Sequence, residues 1–425
     1  GLVLVSGEAG VGKSRLIQEV TAEAEARGMG VLSGHCVHLE GVEPYLPFVE
    51  ILEQALLSPR SPMALREALG ESGSEIARIL PSLRRVMPEL PAPLDLPPEQ
   101  ARRYLWISLL EFTERATRDR PTLLVLEDLH WADEPTLLLT EYLAAHVQQL
   151  PVLIAGSYRD DEIGPSHPLA RLVGQLTRRR LGSRIAVHRL AEDQVAAMLG
   201  GLAGDEPPQE LVRAIDAETE GNPFFIEEVF LHLAESGVLV DQDGRFRRDL
   251  RIDELDVPDS VRLVIGERLG RLSRTTRQVL AAGALLGRVF ETAVLEHLSG
   301  LEPDALADAL EEAEQARLIA PDRADGSRLA FSHELLRQTL LVEESSLRRQ
   351  RLHAKAAEAI QWVHTDDLEA YAADLAYHLA RAGPGADRGR LVRYLQVAGD
   401  RAVEAAAFED AVAHFRHAIS LLPEG

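Results

Sequence analysis

The chain has 425 residues, of which 46% are apolar and 27% charged, with 68 acidic against 45 basic side chains and a net charge of −23. That length fits two to four domains with sizeable cores, and the acidic excess argues against gripping a phosphate backbone over a broad surface. A single cysteine, Cys36, excludes an internal disulfide framework; without a membrane-spanning apolar run or signal peptide, a cytoplasmic protein that does not enter a membrane is expected.

Gly1 to Ser6 form an apolar run of strand length, and Arg15 onward reads as a helix. Between them Gly7-Glu-Ala-Gly-Val-Gly-Lys-Ser14 fits G-x-x-x-x-G-K-S/T without a mismatch. Its glycines let the backbone turn its N–H groups inward, making a nest for phosphate at the positive end of the following helix. The nucleotide-contacting set is therefore Gly7, Glu8, Ala9, Gly10, Val11, Gly12, Lys13, Ser14 and Arg15. Lys13 reaches the outer phosphates and the Ser14 hydroxyl sits on magnesium. A plain glycine-rich turn is the bland alternative, and the strand before and helix after weigh against it. That helix presents Leu16, Ile17, Val20 and Ala24 on one face and stops near Gly28. A second strand is expected over Val31 to Cys36. Although His35, Cys36 and His38 lie close together, strand alternation sends His35 and Cys36 to opposite faces, and no second ligand cluster follows, so a metal centre is not expected there.

Residues 43–98 read as helices punctuated by proline, and Glu99 to Thr117 as a helix that packs on a sheet through Leu105, Leu109, Phe112 and Ala116. Next comes Pro121-Thr-Leu-Leu-Val-Leu-Glu127-Asp128-Leu-His-Trp-Ala-Asp133. The apolar run Thr122 to Leu126 predicts a strand buried on both faces, with Glu127 and Asp128 emerging at its C-terminal end, where open parallel sheets bind ligands. One of these acids can hold magnesium while its neighbour orients an attacking water. Acidic residues also end strands simply as helix caps; the phosphate loop about a hundred residues upstream favours the chemical role. A helix from Pro135 to Gln149 leads to the strand Val152 to Arg159. There Arg159 leaves on the same edge and can sense a terminal phosphate or, alternatively, pair with Asp160, Asp161 or Glu162. A helix from Pro168 to Arg180 and a strand from Arg184 to Leu190 complete five parallel strands with crossover helices.

From Ala191 helices take over. Glu192–Leu202, Glu210–Glu220 and Phe224–Ser236 predict a helical lid, its last helix opened by Gly221-Asn222-Pro223. In 256–345 short helices precede two apolar runs around Asp325-Gly326, the pattern of a hairpin in a winged helix. The acidic helix Pro303 to Ala316 points to a regulatory role rather than groove binding. Residues 346–425 are helical, and Leu395, Ala398, Gly399, Ala402, Phe408, Ala411, Phe415, Ala418 and Pro423 match one tetratricopeptide unit, with a weaker helix over Asp367 to Ala380. An array ending after one clear unit, and a start on the first strand itself, lead us to expect a fragment of something longer.

The phosphate loop, Leu126-Glu-Asp-Leu-His-Trp-Ala-Asp133, Gly156-Ser-Tyr-Arg-Asp-Asp-Glu162 and Glu220-Gly-Asn-Pro-Phe-Phe-Ile-Glu-Glu228 together resemble STAND-class signalling ATPases. The likeness is greatest to bacterial regulators that join such an ATPase to a tetratricopeptide array and a LuxR-type DNA-binding domain or a nucleotide cyclase. The resemblance implies an ADP-bound monomer that exchanges for ATP on a signal and self-associates. The signal ligand or partner protein would act through the C-terminal repeats, with DNA contacted only by a domain outside this chain. It also implies that Pro223 packs on adenine, Arg159 is the sensor and His333 contacts the ADP β-phosphate. Two departures stand out. Glu127 occupies a position usually held by aspartate, leaving the metal role open between Glu127 and Asp128, and the family's segment upstream of the phosphate loop is missing.

The expectation is thus an α/β P-loop NTPase domain (1–190), a helical lid (191–255), a winged-helix-like domain (256–345) and a tetratricopeptide-like helical region (346–425). It would act as a slow ATPase and nucleotide-controlled switch, with ATP or ADP and Mg²⁺ as cofactors. The alternatives are an interaction scaffold whose nucleotide is never hydrolysed, or an initiator-like ATPase that grips DNA.

Overall fold

The structure is a computed structural model that describes residues 1–37, 44–57, 62–235, 261–322, 325–383 and 385–422, together with Leu239 and Phe246. Five strands, β1 (Leu2–Ser6), β2 (Gly30–His35), β3 (Thr122–Glu127), β4 (Val152–Tyr158) and β5 (Gly182–Ala186), form one sheet in the order β2-β3-β4-β1-β5. The ladders β1 to β4, β2 to β3 and β3 to β4 are parallel. β4 thus separates the strand that feeds the phosphate loop from the strand that ends in carboxylates. Because these strands run the same way, Ser6, Glu127 and Tyr158 all finish on one edge of the sheet.

The strands form where apolar runs are short, and β3 is buried along its first five residues, as expected for a strand covered on both faces. Leu105, Leu109 and Phe112 of the helix Pro98–Thr117 pack into the same core as Leu4, Leu124 and Ile154. Pro97 and Pro98 start this helix, where a missing N–H costs nothing.

Several expectations are corrected. The fifth strand runs over Gly182–Ala186 rather than 184–190, and all five of its residues are exposed. Gly182 lets it approach β1, since a Cβ there would stand 2.9 Å from Leu2 O; the segment after it pairs elsewhere, with the Leu190 N–H donating to Gly221 O at 2.8 Å. In the helix Lys13–Ala26 the buried apolar positions are Ile17 and Ala24, whereas Leu16 and Val20 are exposed. The inward stripe therefore runs seven residues apart and excludes the flank carrying Leu16 and Val20. The helix expected over 367–380 begins later, at Ala372, after a 3₁₀ turn at Thr365–Asp367.

Grouped by packing, the described residues form two compact units. One unit comprises residues 1–6, 14–185 and 350–425; the other comprises 7–13 and 186–349. In the first, the helices Arg388–Glu404 and Phe408–Leu421 pair closely: a Cβ on Gly399 would stand 2.5 Å from the Phe415 ring. Ala402, Ala405, Ala407 and Ala411 join the core of the sheet, and Arg102 bridges to Glu409 at 2.9 Å. Pro423, part of the repeat pattern, lies outside the described residues.

The second unit contains the helices Glu192–Ala203, Gln209–Thr219 and Pro223–Glu235, which share a core built on Val195, Leu199, Leu211, Ile215 and Ile226. The expected hairpin is present as β7 (Ile319–Pro321) and β8 (Arg328–Phe331). A third antiparallel strand, β6 (Val289–Glu291), flanks β8. At three residues, that strand is too short to show a period of two in the sequence.

Candidate functional site

The loop between β1 and the first helix takes its shape from three glycines. Gly7, Gly10 and Gly12 have φ of 151°, 79° and 102°, a region that side chains disfavour. At Gly10 the requirement is also one of room, because a Cβ would stand 2.8 Å from Asn222 Oδ1 and 3.0 Å from Phe224 Cβ. Lys13 is only 7% exposed, and its ammonium donates to the carbonyl oxygens of Gly7 at 2.8 Å and Glu8 at 2.7 Å. A desolvated cation held over a glycine loop at a helix start is arranged to meet an anion. Ser14 follows, half-buried, in the first turn. Arg15 is exposed, and its guanidinium pairs with Glu19 at 2.6 Å. The Glu8 carboxylate accepts from Arg189 at 2.6 Å, and Arg189 also pairs with Glu220.

The turn before the helix Pro223–Glu235 is fastened to this loop. Asn222 is buried and donates from Nδ2 to Ala9 O at 3.0 Å; its Oδ1 accepts the Phe224 N–H at 3.1 Å, and that N–H also points to Gly10 O at 3.3 Å. Gly221 is required here, since its φ is 72° and a Cβ would stand 2.1 Å from Leu190 O. Pro223, the residue singled out in the sequence, starts the helix beside these contacts. The Phe224 ring stacks on His333, with centroids 3.8 Å apart and an interplanar angle of 16°. His333 caps the helix Glu334–Glu343, accepting the Leu335 N–H on Nδ1 at 3.1 Å.

The carboxylates at the end of β3 have different surroundings. His35 stands in register with Glu127 on the neighbouring β2, so both side chains leave the same face. Its Nε2 lies 3.6 Å from Glu127 Oε1, and its Nδ1 lies 3.2 Å from Glu50 Oε2. Burial opposes a charge on this imidazole, but hydrogen bonds and Coulombic attraction to Glu127 and Glu50 outweigh it and raise its pKa to about 10. Glu127 is therefore met by an imidazolium across the ordinary pH range.

Asp128, 8% exposed, adopts a left-handed backbone with φ of 57° that carries it off the strand. Its N–H donates to Ser157 Oγ at 3.0 Å. Its Oδ1 lies 4.0 Å from Nδ1 of the buried His130, whose Nε2 lies 3.6 Å from Glu162 Oε2. Glu162 pairs with Arg159, and the Arg159 guanidinium lies 5.2 Å from the centroid of the Trp131 ring. Arg159 thus takes one of the carboxylate partners foreseen for it, and that partner leads through His130 to Asp128. Ser14, Glu127 and Asp128 supply the hard oxygen donors that magnesium takes.

Sequence reasoning assigned no role to Asn222, His130, His35 or Glu50. Two of these, Asn222 and His130, lie inside quoted motifs, and their spacing to the phosphate loop and the carboxylates was the available signal. The pairing of His35 with Glu127 depends on sheet order, which spacing does not encode.

Residues 1–155 match the family described as AAA ATPase domain. An uncharacterized protein of Rhizobium meliloti is 25% identical over 421 residues, covering 90% of this chain and 37% of its own length. A Signal Transduction ATPase with Numerous Domains (STAND) protein with a tetratricopeptide repeat sensor, from Pyrococcus horikoshii, aligns over 99% of this chain and 62% of its own, at 11% identity and a TM-score of 0.49. A Walker-type ATPase of Pyrococcus abyssi aligns over 80% and 90%, at 15% identity and a TM-score of 0.36. The chain spans little more than a third of the length of the Rhizobium relative. What the glycine loop and its buried lysine offer an anionic phosphate agrees with the similarity of residues 1–155 to an AAA ATPase domain.

Proposed function

We propose that the chain is the nucleotide-operated part of a STAND-class signal-transduction ATPase, a cytoplasmic switch that binds ATP or ADP with Mg²⁺ and self-associates in the ATP state. The observation that supports this reading is the fastening of Asn222 and Phe224 to Ala9 and Gly10. The loop that would wrap the phosphates is bonded to the lid turn, and the lid in turn stacks on His333. A nucleotide that reshapes the loop therefore acts directly on those bonds, and it shifts the arrangement by as much as its affinity differs between the two states. The signal ligand, the output domain and DNA contact belong to this proposal only as parts of the whole protein.

The chemistry asked of the chain is positioning and charge neutralisation. Lys13 balances charge on the outer phosphates, and Pro223 with the lid turn walls the base. Ser14 and one acid would hold magnesium, which when bound supplies a further positive charge against the phosphoryl oxygens. The other acid orients water and takes its proton. Asp128 suits the second task because Ser157 Oγ holds its backbone N–H, while Glu127 is engaged by His35. Arg159, reached through Glu162, senses the terminal phosphate.

Calorimetry tests the first step: the chain should bind ADP, and Lys13→Ala should not. Single-turnover hydrolysis of bound ATP separates the switch from a scaffold that never hydrolyses. The imidazolium on Glu127 favours the slower outcome. An initiator-like grip on DNA is disfavoured by the acidic helix Pro303–Gln315.

A further inference from the structure

We propose that a cavity in the first compact unit, between residues 131–133 and the helices Ala372–Arg381 and Phe408–Leu421, binds a small organic ammonium compound through Asp410. The cavity holds about 350 Å³ and is walled by Trp131 and Tyr377, with Ala376 and Ala413 leaving it open. That is the size range of small-molecule sites, which combine an apolar lining with a few placed polar groups.

The polar group is Asp410. Among the described residues, its Oδ2 is buried without a hydrogen-bond partner, a condition that protein interiors rarely tolerate. Asp133, the other carboxylate on the wall, is already satisfied: Oδ1 accepts the Thr136 N–H at 2.6 Å and Oδ2 its hydroxyl at 2.8 Å. The surrounding charge selects the partner. Glu134 and Glu409 add to Asp133 in acting on Asp410, and Glu409 is answered by Arg102. The Arg381 guanidinium lies over the Tyr377 ring at 3.9 Å. His414 is kept neutral by burial and by His417, and burial holds the Cys36 thiol protonated. An anion would meet the acids, and a neutral hydroxyl would leave their repulsion in place. An ammonium group supplies the missing donor and offsets the repulsion.

Burial, with Asp133, Glu409 and Glu134, raises the Asp410 carboxyl to about 7. A cation binds its ionised form, so affinity rises with pH through that value. This site does not rest on the nucleotide reading.

Benzylamine is the probe and benzyl alcohol its uncharged counterpart, each titrated into the whole chain by calorimetry at pH 8 and pH 6. Benzylamine should bind at pH 8 and weaken about tenfold by pH 6, as Asp410 takes up a proton. Benzyl alcohol should bind at least about tenfold more weakly and without that pH dependence. Asp410→Asn should remove both the pH dependence and the preference for the amine, with the fold checked by circular dichroism. Ala413→Leu, which fills the cavity from an exposed position, should block binding and serves if the first variant does not fold. No benzylamine binding at pH 8, equal binding of the alcohol, or unchanged affinity in either folded variant overturns the proposal.

Discussion

The phosphate loop and the carboxylate edge follow two parallel strands of one sheet, β1 and β3, yet they are built from different material. Around Gly7 to Ser14 the working groups are backbone amides and carbonyls, whose directions depend on three positive φ angles and on Asn222. At the end of β3 they are side chains, and His35, Glu50, Ser157 and His130 decide what Glu127 and Asp128 can do. A backbone site is thus a matter of local conformation, whereas a side-chain site depends on its neighbours in space.

The largest test of this contrast is Lys13→Ala, which removes the cation of the backbone site. Nucleotide affinity measured by calorimetry should fall at least about a hundredfold, the equivalent of about 2.7 kcal/mol; unchanged affinity would remove the loop from the account. Next, Asp128→Asn should slow single-turnover hydrolysis by about tenfold to a hundredfold while sparing binding. If Glu127→Gln does that instead, the two acids exchange roles and the hold of His35 on Glu127 is part of catalysis.

Gly10→Ala probes conformation alone. With a positive φ and a Cβ placed 2.8 Å from Asn222 Oδ1, the substitution should cost about 1–3 kcal/mol and lower the thermal midpoint. An unaffected midpoint would show that the lid turn is not held as described.

The smallest effect belongs to His35. Its folded pKa of about 10 lies above the ordinary value of 6.5, so its contribution to stability is fully present below pH 6.5 and is lost as pH rises through 10. His35→Gln should flatten the decline in thermal midpoint between those values. At 26% side-chain exposure the ion pair is partly screened, so a change of a few degrees, about 2–4 °C for each kcal/mol, is expected. An identical decline in the variant would mean that the pair contributes nothing.

Order along the chain was legible wherever a local rule governs it. The G-x-x-x-x-G-K-S match, the apolar runs of β1, β3 and β4 and the prolines that open helices each constrain a few adjacent residues. The helices between 192 and 235, the hairpin at Asp325-Gly326 and the helix pair with Gly399 against Phe415 followed in the same way. Rules of this reach fail where an element is short or exposed, as β6 is at three residues and β5 with no buried position.

The amino-acid sequence by itself determined where the phosphate loop lies, because its glycines and a lysine at fixed spacing form a local pattern. Only the tertiary structure decided that His35 meets Glu127, that His130 meets Glu162, and that the buried Oδ2 of Asp410 shares a cavity with Asp133. These are contacts between residues far apart in the chain or on adjacent strands. Their energies depend on burial and on neighbouring charge, which exist only once the sheet and helices have closed around them.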